Sequence, residues 1–203
     1  LSDKVFSGFQ SLFDGNSEYN QMAFVFRSLM AETCTATLVL IKAVHNNGEV
    51  APVGLVDVQP MVAQVDGKGN ATPHGIIHNV PYLRVQGGAN ALIMDPAVGD
   101  IGLAVFASRD ISSVKANKAP SNPGSPRMFS WSDGLYIGGF LNGAPANYVR
   151  FDSDGNVIIK PATKVTVQGD LDVTGDVTAS GVSLKTHRHS GVSTGGGNSG
   201  PPV

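Results

Sequence analysis

Apolar positions in this chain change period along its length. From Tyr19 they recur at three- and four-residue steps through Met22, Ala23, Phe26 and Met30, and Val25 and Leu29 widen the stripe. That spacing keeps one helix face apolar and predicts a helix over about residues 18–31. Ser17 is placed to cap it, and Glu18 sits in the first turn, where the helix dipole favours an acid. Such a stripe needs an apolar partner. Either the helix plugs its own domain or it docks to a neighbouring protein.

From residue 33 the pattern shifts to short β-type runs: Thr35–Val44, Val53–Gln59, Gly75–Val80, Tyr82–Val85, Ala91–Met94 and Ile101–Phe106. Turn chemistry separates them, as at Asn46-Asn47-Gly48, Gln86-Gly87-Gly88 and Val98-Gly99-Asp100. Short strands at this spacing, with a helix alongside, predict a small closed barrel of the oligonucleotide/oligosaccharide-binding (OB) kind. Residues 116–127 hold three prolines and a glycine and read as a linker. The stretch from Tyr148 to Lys160 reads as a hairpin turning at Asp154-Gly155.

The last quarter of the chain is repetitive. Gly169, Gly175 and Gly181 fall at a six-residue period. Between them lie apolar pairs two residues apart: Val165/Val167, Leu171/Val173 and Val177/Ala179, then Val182/Leu184 after a one-residue slip. Residues two apart share one face of a strand. Each repeat is therefore expected to be a short strand with one apolar face, which it cannot bury alone. So few repeats make no stable single-chain solenoid. Several identical chains wound about one axis would share a core, with Asp170, Asp172 and Asp176 on its solvated outside.

Composition adds limits. The 203 residues include 25 glycines and 12 prolines, with 15% charged and 7% aromatic, which favours strands and turns. A formal charge of -2 gives no basic footprint for nucleic acid. Cys34 is the single cysteine, so no disulfide forms within the chain, and it is expected to be a small packed thiol. No apolar run approaches the roughly 18 residues of a membrane span. No secretory signal is expected at the N-terminus. His-Glu-x-x-His and phosphate-loop patterns do not occur, and no enzymatic activity is expected.

The segment Val98-Gly-Asp-Ile-Gly-Leu-Ala-Val-Phe-Ala-Ser-Arg-Asp110-Ile resembles the end of the barrel in central spike proteins of contractile-tailed bacteriophages. Asn79-Val-Pro81 and Ser132-Asp-Gly-Leu-Tyr-Ile-Gly-Gly139 are similar to the same family, as is the ending from Gly181 through His187-Arg-His189 to the final Pro-Pro. Together they cover most of residues 33–203. The resemblance implies a mainly β homotrimer in which an N-terminal helix and OB-fold barrel precede an intertwined trimeric β-helix spike. The parts would be an N-terminal segment (1–32), barrel (33–116), linker (117–127), hairpin and β-helix (128–186) and metal-binding apex (187–203). The resemblance also implies a virion component at the distal tip of the tail baseplate. Its N-terminal region would join the tail hub, and its point would pierce the host outer membrane when the sheath contracts. In that family the His-x-His pairs of three chains hold one iron ion.

The residues support a metal independently. His187 and His189 lie two apart on an expected strand, so both imidazoles face one side and Arg188 faces the other. Around a threefold axis the pair becomes six nitrogens, an octahedral set suited to iron or another first-row transition metal. Zinc prefers four ligands in structural sites, and magnesium and calcium prefer oxygen. A fully ligated ion has no open position, so its role would be to staple the chain ends. His45, His74 and His78 lack such a context and are expected to be ordinary barrel residues. An alternative function is a barrel that binds nucleic acid or glycan, trimerised by its stalk. It requires exposed aromatics among basic residues, and Tyr82 and Phe106 are not so flanked.

Overall fold

A computed structural model describes residues 13–46, 50, 54–66, 68–188, 190, 191 and 195. The chain divides into two units, Leu1–Ala144 and Pro145–Val203.

The first unit opens with α1 (Glu18–Ala31). The Ser17 hydroxyl accepts from the Asn20 N–H at 3.2 Å, and Arg27 reaches back to Asp14 at 2.8 Å. None of its residues is buried, and Tyr19, Met22 and Phe26 remain 81%, 62% and 62% exposed. The helix forms where its periodicity places it, but it does not plug its own domain. Its apolar stripe stays in water.

The strands follow: β1 (Ala36–His45), β2 (Leu55–Pro60), β3 (Gln64–Val65), β4 (Ala71–Thr72), β5 (Ile77–Pro81), β6 (Val85–Gly87), β7 (Asn90–Leu92) and β8 (Ile101–Phe106). After them come α2 (Ser112–Asn117) and β9 (Gly134–Gly139). Five strands make one antiparallel sheet in the order β5-β2-β1-β8-β9. Their alternation buries Val39 and Ile41 from β1, Val56 and Val58 from β2, Val80 from β5, Ala104 and Phe106 from β8 and Tyr136 from β9. The opposite face is polar or partly exposed, as expected of strands with one buried side.

Register shifts at Ile41/Ala43, Val56/Val58 and Leu103/Ala104 bend the strands, and the sheet curls into a half-barrel. A parallel bridge between Tyr82 and Tyr136 brings the chain after β5 to the β9 edge, and the Leu83 N–H donates to the Tyr136 carbonyl at 2.8 Å. Gly102 makes room for this curl, since a Cβ there would run into Tyr136 Oη and the Gly138 carbonyl. Gly102→Ala is expected to destabilise the first unit by about 1–3 kcal/mol, the usual cost of overpacking, as a lower urea midpoint at unchanged slope.

The fifth strand, β9, lies beyond the proline-rich segment that composition marks as a linker. It pairs with β8 all the same. The connection is tied down by Arg127, whose Nε and Nη2 donate to Asp133 at 2.7 and 2.8 Å and whose Nη2 also donates to Asp110 at 2.7 Å. Both carboxylates are buried, with side chains 0% and 1% exposed. The Ser112 hydroxyl foremost, then Ser125 and the Arg127 charge, hold the Asp110 carboxyl down at about 2. Trp131 packs edge-on against Phe106, with ring centroids 4.8 Å apart.

The second unit holds the expected hairpin, β10 (Tyr148–Phe151) with β11 (Val157–Lys160), then β12 (Thr178–Ala179) with β13 (Val182–Ser183). The β10–β11 turn repeats one found in the first unit between β3 and β4. Asp152 Oδ1 accepts from the N–H groups of Asp154 (3.0 Å) and Asn156 (2.8 Å), as Asp66 Oδ1 does from Lys68 (2.8 Å) and Asn70 (2.8 Å). In each, the Asn amide donates to the same Asp, and Gly155 (φ 83°) and Gly69 (φ 87°) supply the left-handed residue. The repeats over 161–177 form no paired strand in the single chain. Their apolar residues stay exposed, from 41% at Val177 to 72% at Leu171. A strand without a neighbour has no ladder to join.

Candidate metal centre at the C-terminal tip

The tip is built on the β12–β13 hairpin. Its two-residue turn, Ser180 (φ 50°) and Gly181 (φ 83°), has both central residues left-handed, the arrangement that suits a tight hairpin. Thr178 pairs with Ser183 and Ala179 with Val182, and the Leu184 N–H donates to the Val177 carbonyl at 2.8 Å. One further turn brings the chain to His187, whose N–H donates to the Ser183 carbonyl at 3.1 Å.

The His187 ring is oriented by carbonyl oxygens. Its Nδ1 lies 3.0 Å from both the Ser183 and the Leu184 oxygen. A carbonyl only accepts, so Nδ1 carries the hydrogen, and in the neutral ring the lone pair is on Nε2. A nitrogen lone pair opposite a backbone-bonded N–H is the usual state of a metal-ligating histidine. His187 therefore fits a first-row transition ion. His189 lies outside the described residues. Among the described residues no group of three or more His, Cys, Asp or Glu could hold a metal ion.

The other histidines serve the first unit. His45 Nε2 and His78 Nδ1 lie 3.0 and 2.7 Å from the two oxygens of Asp57 on β2, tying three adjacent strands. His74 packs against Trp131 at a tilt of 47°, with ring centroids 5.1 Å apart. Cys34 is half-buried against the core, and burial pushes its thiol up. Asp170 and Asp172 are exposed, as are the apolar residues beside them, but Asp176 does more than face solvent. It accepts from the Lys185 N–H at 3.1 Å, and the Ser183 hydroxyl foremost draws its carboxyl below the usual range. Alternation placed Asp176 on an outer face and gave no sign that the hairpin would fold it back. Tyr82 and Phe106 are both 7% exposed, which withholds them as a stacking platform for bases or sugars.

Residues 181–203 match the family model described as the GpV Apex motif. This motif belongs to the tips of phage baseplate spikes and implies a virion component at the tail tip, one that assembles with other baseplate components. No curated protein matches the chain.

Proposed function

We propose that this chain is the homotrimeric central spike of a contractile phage tail, which pierces the host outer membrane when the sheath contracts. The observation that carries the reading is that the apex match takes over within the apolar repeat, at Gly181, the last glycine of its six-residue period. Each chain leaves Val165, Val167, Leu171, Val173, Val177, Val182 and Leu184 exposed, one side of a core that three chains would complete as a β-helix. The barrel is read as an OB-fold. Support comes from the strand order β5-β2-β1-β8-β9 and the parallel Tyr82–Tyr136 bridge between its two ends. The exposed stripe of α1 is the surface offered to the tail hub. The role is mechanical and needs no catalysis.

His187 and His189 from each chain would hold one iron ion at the apex. When bound, the ion staples three chain ends that would otherwise fray. The test is elemental analysis of the purified protein together with its mass in solution. One iron per three chains in a trimer is expected. The double variant His187→Ala/His189→Ala should lose the iron and remain trimeric, because the repeat core holds the chains. A metal-free monomer would overturn the reading.

A further inference from the structure

The residues that set the His187 ring lie upstream of it. Ser183 Oγ has one hydrogen to give and two lone pairs to share. Thr186 occupies the acceptor side, with its N at 3.0 Å and its Oγ1 at 2.8 Å. Asp176 Oδ1 accepts from the Lys185 N–H at 3.1 Å, and the Ser183 hydroxyl beside it draws its carboxyl below the usual range. Residues 183–186 are thereby closed into a turn, held at Ser183, Lys185 and Thr186. The two carbonyls that face Nδ1 of His187 belong to Ser183 and Leu184 within that turn.

We propose that Asp176 and Ser183 are positioning residues of the tip, which fix His187 as its Nδ1–H tautomer and so present Nε2 as the ligating nitrogen. Neither touches the metal in this scheme. Asp176 also lies outside the matched apex segment, which begins at residue 181. The functional tip therefore starts at least at Asp176, on the strand that leads into the hairpin. This inference rests on the metal reading above for its purpose, though not for its geometry.

The experiment uses the full chain with ¹⁵N-labelled histidine, and His187→Ala assigns the ring signals. In the metal-free wild type, His187 Nδ1 should carry the hydrogen and Nε2 should not. Ser183→Ala and Asp176→Asn should relax the ring toward a mixture of tautomers, and Ser183→Thr, which keeps the hydroxyl, should restore the wild-type pattern. Iron(II) binding measured against a competing chelator should weaken by about 10–100-fold in Ser183→Ala and Asp176→Asn, and little in Ser183→Thr. Mass in solution confirms that each variant assembles like the wild type. A wild-type His187 with its hydrogen on Nε2, or variants that leave both tautomer and affinity unchanged, would overturn the proposal. If the wild type takes up no iron, the metal reading fails, and the tautomer signals still decide the positioning role.

Discussion

Replacing Leu171 and Val177 together by aspartate is expected to turn the proposed trimer into monomers. In the single chain these residues are 72% and 41% exposed. Burying an aliphatic side chain of this kind contributes about 1.5–3 kcal/mol, an upper range because unfolded chains already hide part of it. The proposed threefold core counts each substitution three times. A carboxylate at each place would also have to enter an apolar core without a counter-charge, or be neutralised. Light scattering or sedimentation equilibrium reads the result directly. Asp170→Ala/Asp172→Ala, on the exposed side of the same repeats, should remain trimeric. Trp131, the single tryptophan, lies in the first unit, so its fluorescence should report an intact half-barrel in both variants. A trimer that survives both aspartates would rule out the repeat as the assembly core.

The largest effect on the first unit is expected at Asp133. Its side chain is fully buried, and it accepts from Arg127 twice and from the Ile111 N–H at 3.0 Å. Asp133→Ala strands that N–H and removes the main partner of a guanidinium. Breaking a buried pair from one side costs about 3–5 kcal/mol. The lower end applies here, because Arg127 is 38% exposed and can recover water. A loss of about 3 kcal/mol corresponds to a fall of about 10 °C in Tm for a unit of this size.

The same network sets an acid limit. The folded Asp110 carboxyl titrates at about 2, against about 3.9 for an unfolded aspartate. Its contribution is therefore complete above about pH 4 and is lost as pH falls through about 2. Asp133 is shifted in the same direction, with Arg127 as the first cause. Urea midpoints should fall between pH 4 and pH 2.5 in the wild type, and fall less in Asp110→Asn. Equal slopes in the two proteins would show that the network does not carry the acid sensitivity.

The sequence was most legible where local signals agree. The periodicity over 18–31, with Ser17 ahead of it, matches α1 at both ends, and the run Ile101–Phe106 is β8 to the residue. The Asp154-Gly155 hairpin was equally plain. β9 was harder to place because it reads Gly-Leu-Tyr-Ile-Gly-Gly, with half its residues weak in strands, and follows three prolines. What returns it to the sheet is a long-range clamp, Arg127 between Asp110 and Asp133, and no window of residues displays that. α2, at six residues, is too short to show a period. The run Tyr82–Val85 gave a single bridge at Tyr82 and the start of β6, since Tyr82 is drawn toward Tyr136 at the far edge. At the tip, His187 stood out because of its spacing and position. Asp176 and Ser183 did not, because their partnership depends on a hairpin that folds residues 176 and 183 onto each other.

The twin turns at Asp66–Asn70 and Asp152–Asn156 bear on the timing of assembly. Each closes a hairpin with bonds between residues at most four apart. Local closure of this sort takes about 1–10 μs, far faster than the encounter of separate chains. The β10–β11 hairpin, with Phe151 opposite Val157 and Val149 opposite Ile159, is thus in register before any partner arrives. In the proposed trimer, each chain would bring a prealigned edge to the meeting. The slow search would concern only which chains meet, and not which residues pair.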